Sequence, residues 1–134
     1  MNGLTQGIKI NGKEEGDMSL SKLLKIKETF DIIYIVGVNL KSGEIETIGD
    51  KSKLVYDDLV TDLFDNIDSI YSLDKSIEGQ RMPQTWRQGE VKCIVCKPSN
   101  NILVGLFYNE YRDTIESYQW SKEVNKELEA IWKK

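Results

Sequence analysis

Cys93 and Cys96 stand three residues apart in "VKCIVCKPSNNILVGLFYNE" (91–110). A CxxC spacing is what a redox dithiol or a shared metal ion would use. The neighbouring residues oppose both. Val91, Cys93 and Val95 alternate with Lys92, Ile94 and Cys96, and successive side chains of a strand point to opposite faces. Diverging Cβ vectors do not form a disulfide or converge on one ion. A zinc site also wants four ligands, yet the chain has no histidine and no third cysteine. A redox CxxC opens a helix, whereas Lys97-Pro98-Ser99-Asn100-Asn101 reads as a turn. The two thiols are therefore read as structural.

The aspartates at 57, 58, 62, 65 and 68 are the other cluster that could hold a cation. Their spacing fits the wet face of a helix, and no EF-hand loop surrounds them. Without histidine the commonest general base is missing. No GxGxxG, phosphate-binding loop or GxSxG occurs. The residues point to a non-enzymatic binding module, with no cofactor and no metal expected.

The elements that carry these residues follow from periodicity. Leu20, Leu23, Leu24, Lys27 and Phe30 recur as in an amphipathic helix. "IIYIVGVNL" (32–40) is a strand buried on both faces; Lys41-Ser42-Gly43 turns it into "EIETIG" (44–49). Leu54, Val55, Leu59, Leu63 and Ile67 mark a second helix. Ile70–Arg87 reads as two short strands around Asp74-Lys75-Ser76, or as a helix end and one strand. Strands 90–97 and 101–108 form a hairpin. Helix 113–133 aligns Trp120, Val124, Leu128 and Ile131, with Trp132 just outside that arc. The fold class is α+β: an antiparallel sheet with the N- and C-terminal helices on one face.

At 134 residues the chain forms one domain, 19–134, behind a glycine-rich extension, 1–18, expected to be disordered. A charge of −4 speaks against nucleic acid. No apolar run approaches the ~20 residues that cross a bilayer. Two cysteines and no leader-like start suggest the cytoplasm. The charge is uneven: six aspartates lie between Lys51 and Lys75, whereas Arg81–Arg112 holds five basic residues and two acidic ones.

"IEGQR" (77–81), "GEVKCIVCK" (89–97), "NILVGLFYNE" (101–110) and helix 113–133 resemble the C-terminal half of profilins, in particular the divergent profilins of Asgard archaea. Gly105, Tyr108, Asn109 and Glu110 carry the closest echo. The resemblance implies a profilin-like fold and a monomer that binds an actin monomer at the cytoskeleton. It also implies that polyproline segments and anionic phosphoinositides are further partners. Its actin-contacting positions would be Arg87, Lys92, Lys97, Asn109, Arg112, Glu116 and Gln119. Its polyproline groove would use Trp132, Phe30 and Tyr34, although the family's first-helix and strand tryptophans are absent.

A second resemblance is to the roadblock family, which also runs helix, hairpin, helix, three strands, helix. "LSKLLKIKETFDIIYIVGVNLKSGEIETIGD" (20–50) is similar to its opening helix and hairpin. That resemblance implies dimers paired through the second helix and adjoining strand, acting as scaffolds or small-GTPase regulators. Two acidic second helices would repel each other, which ranks this reading second.

Overall fold

The computed structural model describes residues 20–132. The extension 1–18 lies outside the described residues. Helix α1 (Leu20–Thr29) leads to strands β1 (Tyr34–Asn39) and β2 (Ile45–Gly49). A single 3-10 turn, Lys51–Lys53, precedes α2 (Asp58–Phe64) and α3 (Ile67–Ser76). Strands β3 (Gln84–Gln88), β4 (Val91–Ser99) and β5 (Ile102–Asn109) follow, then α4 (Thr114–Trp132).

The five strands form one antiparallel sheet in the order β2-β1-β5-β4-β3. β5 is central, and every residue from Ile102 to Tyr108 other than Gly105 contributes a buried apolar side chain. A strand apolar on both sides needs cover on both sides. On one face Leu23 and Ile26 of α1 and Val124 and Leu128 of α4 meet Ile35, Ile94, Cys96, Val104, Leu106 and Tyr108. On the other, Leu59, Val60 and Phe64 of α2 and Ile70 and Leu73 of α3 meet Val36, Val38, Cys93, Val95, Leu103 and Phe107. Cys93 and Cys96 thus lie in different cores, both fully buried and free.

Local chemistry sets the ends. α1 stops where Asp31 takes a left-handed conformation (φ 58°) and Ile32 N–H returns to Lys27 O at 2.9 Å. The β1–β2 turn is held by Asn39 Oδ1, which accepts from Lys41 N and Ser42 N. Gly49 closes the hairpin at φ 101°, where a Cβ would collide with Ile33 O.

The middle of the chain differs from the sequence expectation. A continuous second helix over 54–67 is replaced by α2 and α3, separated at Asn66. That residue is extended (φ −151°, ψ 174°), and its side chain accepts from Ser69 N at 2.9 Å, an N-cap that starts a new helix. Of the two readings of Ile70–Arg87, the pair of strands is replaced by the helix end and one strand: α3 runs to Ser76 and β3 begins at Gln84. Ile67, Ile70, Leu73 and Ile77 supply the three-to-four spacing, which the serines on the wet side obscure. A sheet clasped only by the terminal helices is likewise corrected: the second apolar face recruits α2 and α3.

Gly105 makes room for this second layer. It lies between Leu103 and Phe107 on the face covered by α2, and the Phe64 ring fills the notch. Phe64 also stands edge-on to Phe107, with ring centroids 5.8 Å apart. The Gly105→Ala variant should lose about 1–3 kcal/mol of stability through overpacking, read as a lower urea midpoint with an unchanged slope. An unshifted midpoint would contradict this packing.

Candidate interaction surface

The residues that the profilin resemblance assigns to actin binding are largely occupied in holding the fold together. Asn109 Oδ1 accepts from Val55 N at 2.9 Å and its Nδ2 donates to Lys53 O at 3.3 Å, fixing the loop before α2. Lys97 Nζ pairs with Asp74 Oδ1 of α3 at 2.7 Å. Arg87 Nε donates to Gly89 O at 2.8 Å across the β3–β4 turn. Glu116 N donates to Asp113 Oδ1 at 2.8 Å, and Asp113 N to Glu116 Oε1 at 3.4 Å, a capping box on α4. Gln119 is exposed.

Lys92 and Arg112 meet at Glu110, whose side chain is 2 % exposed. Arg112 Nη1 and its backbone N donate to Glu110 Oε2 at 3.0 and 2.9 Å. Ser117 Oγ donates to Glu110 Oε1 and accepts from Lys92 Nζ at 3.1 Å. The Arg112 guanidinium lies 4.1 Å from the Trp120 ring centroid. Burial pushes the Glu110 carboxyl upward, but the Ser117 and Arg112 hydrogen bonds outweigh it and hold it below its ordinary value. Burial, and then the nearby Glu110 charge, pushes the Tyr108 phenol up. This cluster welds the end of β5 to the start of α4.

The residues assigned to a polyproline groove are not brought together. Phe30 stands edge-on to Trp120, with centroids 6.3 Å apart, and Trp132 packs in the same α1–α4 core. Tyr34 packs against Phe107 on the opposite face of the sheet. Alternation along β1 puts it there, and no single groove takes all three.

Among the described residues the sheet has two edge strands, β2 and β3, and the β3 side carries the larger exposed surface of mixed apolar and basic character. β3 ends the sheet. Trp86 faces α2 and α3 and floors a groove of ≈ 330 Å³ with Leu63, Ser69, Ser72, Leu73 and Ser76. Thr85 and Arg87 point to the other face and are exposed. Nearby on α4, Ile115 and Tyr118 are 70 % and 61 % exposed. Sequence reasoning missed this surface, and its only signals were slight: Thr85 and Arg87 alternate with Trp86, and serines recur at 69, 72 and 76.

An antiparallel five-stranded sheet with a helix pair on each face is a fold that solved structures share. Solved structures of similar fold are MglB proteins. Myxococcus xanthus MglB is 14 % identical with a TM-score of 0.50, covering 81 % of this chain and 89 % of its own. An MglB with a tetrameric arrangement is 15 % identical with a TM-score of 0.51, covering 84 % and 85 %. The gliding protein MglB of Thermus thermophilus is 13 % identical with a TM-score of 0.52, covering 96 % and 97 %. No family pattern matches the chain, and no curated protein does.

These likenesses overturn the profilin resemblance and what it implied: the profilin-like fold, the monomer, the actin monomer as partner, and the polyproline and phosphoinositide partners; the cytoskeletal setting loses its support. The echo at Gly105–Glu110 has local causes instead: the Phe64 notch and the Glu110 cluster. Among the described residues no helix is long and apolar enough to cross a membrane.

Glu110's low carboxyl value stabilises the fold above the ordinary carboxyl value of 4.5, and that stabilisation disappears as pH falls through the lower folded value. Glu110→Gln should cost about 1.5–3 kcal/mol at pH 7 and flatten the acid limb of the stability–pH curve. An acid limb equal to that of the parent would refute the assignment. Burial pushes both thiols up, Cys93 and Cys96 alike, so neither should react with Ellman's reagent until denaturant is added. Fast labelling of the folded chain would show the cores to be open.

Proposed function

We propose that this protein is a non-catalytic roadblock-type module of the cytoplasm that pairs with a second copy through β3 and the α2–α3 layer. The pair then serves as a platform that scaffolds or regulates a small GTPase. The observation that carries the reading is the uncapped β3 edge beside the serine-lined groove, in a fold shared with MglB. An unpaired edge offers a row of backbone donors and acceptors to another strand. Ser69, Ser72 and Ser76 recur along the side of α3 beside it, so a neighbouring backbone can approach closely.

The acidic second helix, which counts against pairing when read alone, fits a two-fold contact. In such a contact residue i of one copy meets residue j of the other, and j meets i. Asp62 lines the groove on the helical side. Arg81 precedes the strand, whereas Arg87 points to the opposite face. Asp62 and Arg81 are exposed. Asp62 of each copy can therefore face Arg81 of the other rather than its acids.

The chain mass is 15.4 kDa. Light scattering at micromolar concentration should give twice that mass, and hydrogen exchange should show protected amides over 84–88. Ser72→Arg, at an exposed position, should halve the mass without lowering the urea midpoint. A monomer for the parent chain at all accessible concentrations would remove the reading.

A further inference from the structure

We infer that two paired chains leave, between their α4 helices, a slot one helix wide that takes a single acidic amphipathic helix of a partner protein. This rests on the β3 pairing proposed above.

The width follows from strand spacing. On its face of the sheet α4 packs over β4 and β5, through contacts of Val124 and Leu128 with Ile94, Cys96, Val104 and Leu106. Its axis therefore lies about two strand spacings from the outer edge of β3. Neighbouring strands are about 4.8 Å apart, so joining two β3 edges about a two-fold axis sets the two α4 axes about 19 Å apart. Packed helices lie about 8–10 Å apart, so the gap holds one helix and not two. Its floor is Thr85 and Arg87 from each copy, exposed side chains on the face away from α2 and α3.

The walls have the right chemistry. Trp120 and Tyr118 lie on opposite flanks of α4, roughly 160° apart at 3.6 residues per turn. Trp120 meets Phe30 of α1, on the β1–β2 side. Tyr118 therefore faces the β3 side, with Ile115 above it, and these two are among the most exposed apolar residues described. Exposed tyrosine beside aliphatic surface typifies a docking face. The charges along it are mainly basic: Lys122, whose Nζ lies 5.1 Å from the Tyr118 ring centroid, Lys126, and Arg87 of the floor, against Glu129. Glu129 is already engaged by Asn125 Nδ2 at 3.4 Å. Counted over two copies, six cations face two carboxylates. An occupant with an apolar stripe and acidic flanks complements that surface, whereas a basic helix does not.

The test uses the full chain and a fluorescein-labelled synthetic helix with leucines at helical spacing and glutamates elsewhere, read by anisotropy. The same helix with lysine replacing glutamate is the control. Saturable binding at one peptide per two chains is expected, with no binding of the lysine peptide. Tyr118→Asp and Ile115→Asp should each weaken it by about tenfold, while light scattering still shows a dimer. A dimer that binds neither peptide overturns the slot and leaves the pairing intact. So does one that binds one peptide per chain, prefers lysine, or binds anionic phosphatidylserine vesicles in a Tyr118-dependent way. A monomer overturns the pairing itself, and the slot with it.

Discussion

The burial of β5 on both faces is the constraint from which the rest of the architecture follows. A central strand with apolar residues pointing both ways cannot rest on one helical layer. It obliges the chain to supply α1 and α4 for one face and α2 and α3 for the other. Each layer is wide enough to cover the middle strands but not both sides of the last one. β3 is sheltered by α2 and α3 through Trp86, while Thr85 and Arg87 stay in water. The open edge is the remainder of this packing problem.

The polar interactions at Glu110 and Asn109 serve that packing. Glu110 is buried among Arg112, Ser117 and Lys92, and a buried charge is tolerated only when its acceptor capacity is used. Arg112, Ser117 and the Asp113–Glu116 capping box all follow closely on Glu110 in the chain, so the direction of α4 is set as it leaves the sheet. Asn109 performs the matching task for the loop before α2. One end of β5 thereby anchors a helix layer on each face, and the outer flank of α4 is held in one orientation toward β3.

Much of this is legible from the order of residues. The strands at 32–40 and 90–108 stand out by their long apolar runs, 44–49 by the turn that precedes it, and α4 is long enough for its period to be unambiguous. The parity of Cys93 and Cys96 needs only the two-residue repeat of a strand. The α2–α3 region is not legible, since serine and aspartate fill most outward positions and Asn66 restarts the phase after one short helix. The surface around Tyr118 and Thr85 escapes as well. Exposure depends on which neighbours the topology withholds, and no local pattern records that. The Gly105–Glu110 echo misleads for a related reason: a notch and a buried carboxylate leave the same letters whichever ligand a fold serves.

The break at Asn66 bears on orthogonality. A straight rod presents much the same profile to any other rod. A bent one, α2 joined to α3 by an extended residue, presents a broken contour that an unbent helix does not follow. A cell holding several proteins of this architecture must keep their assemblies apart. In the pairing proposed above, a single side chain that restarts a helix adds shape to the selection of partners.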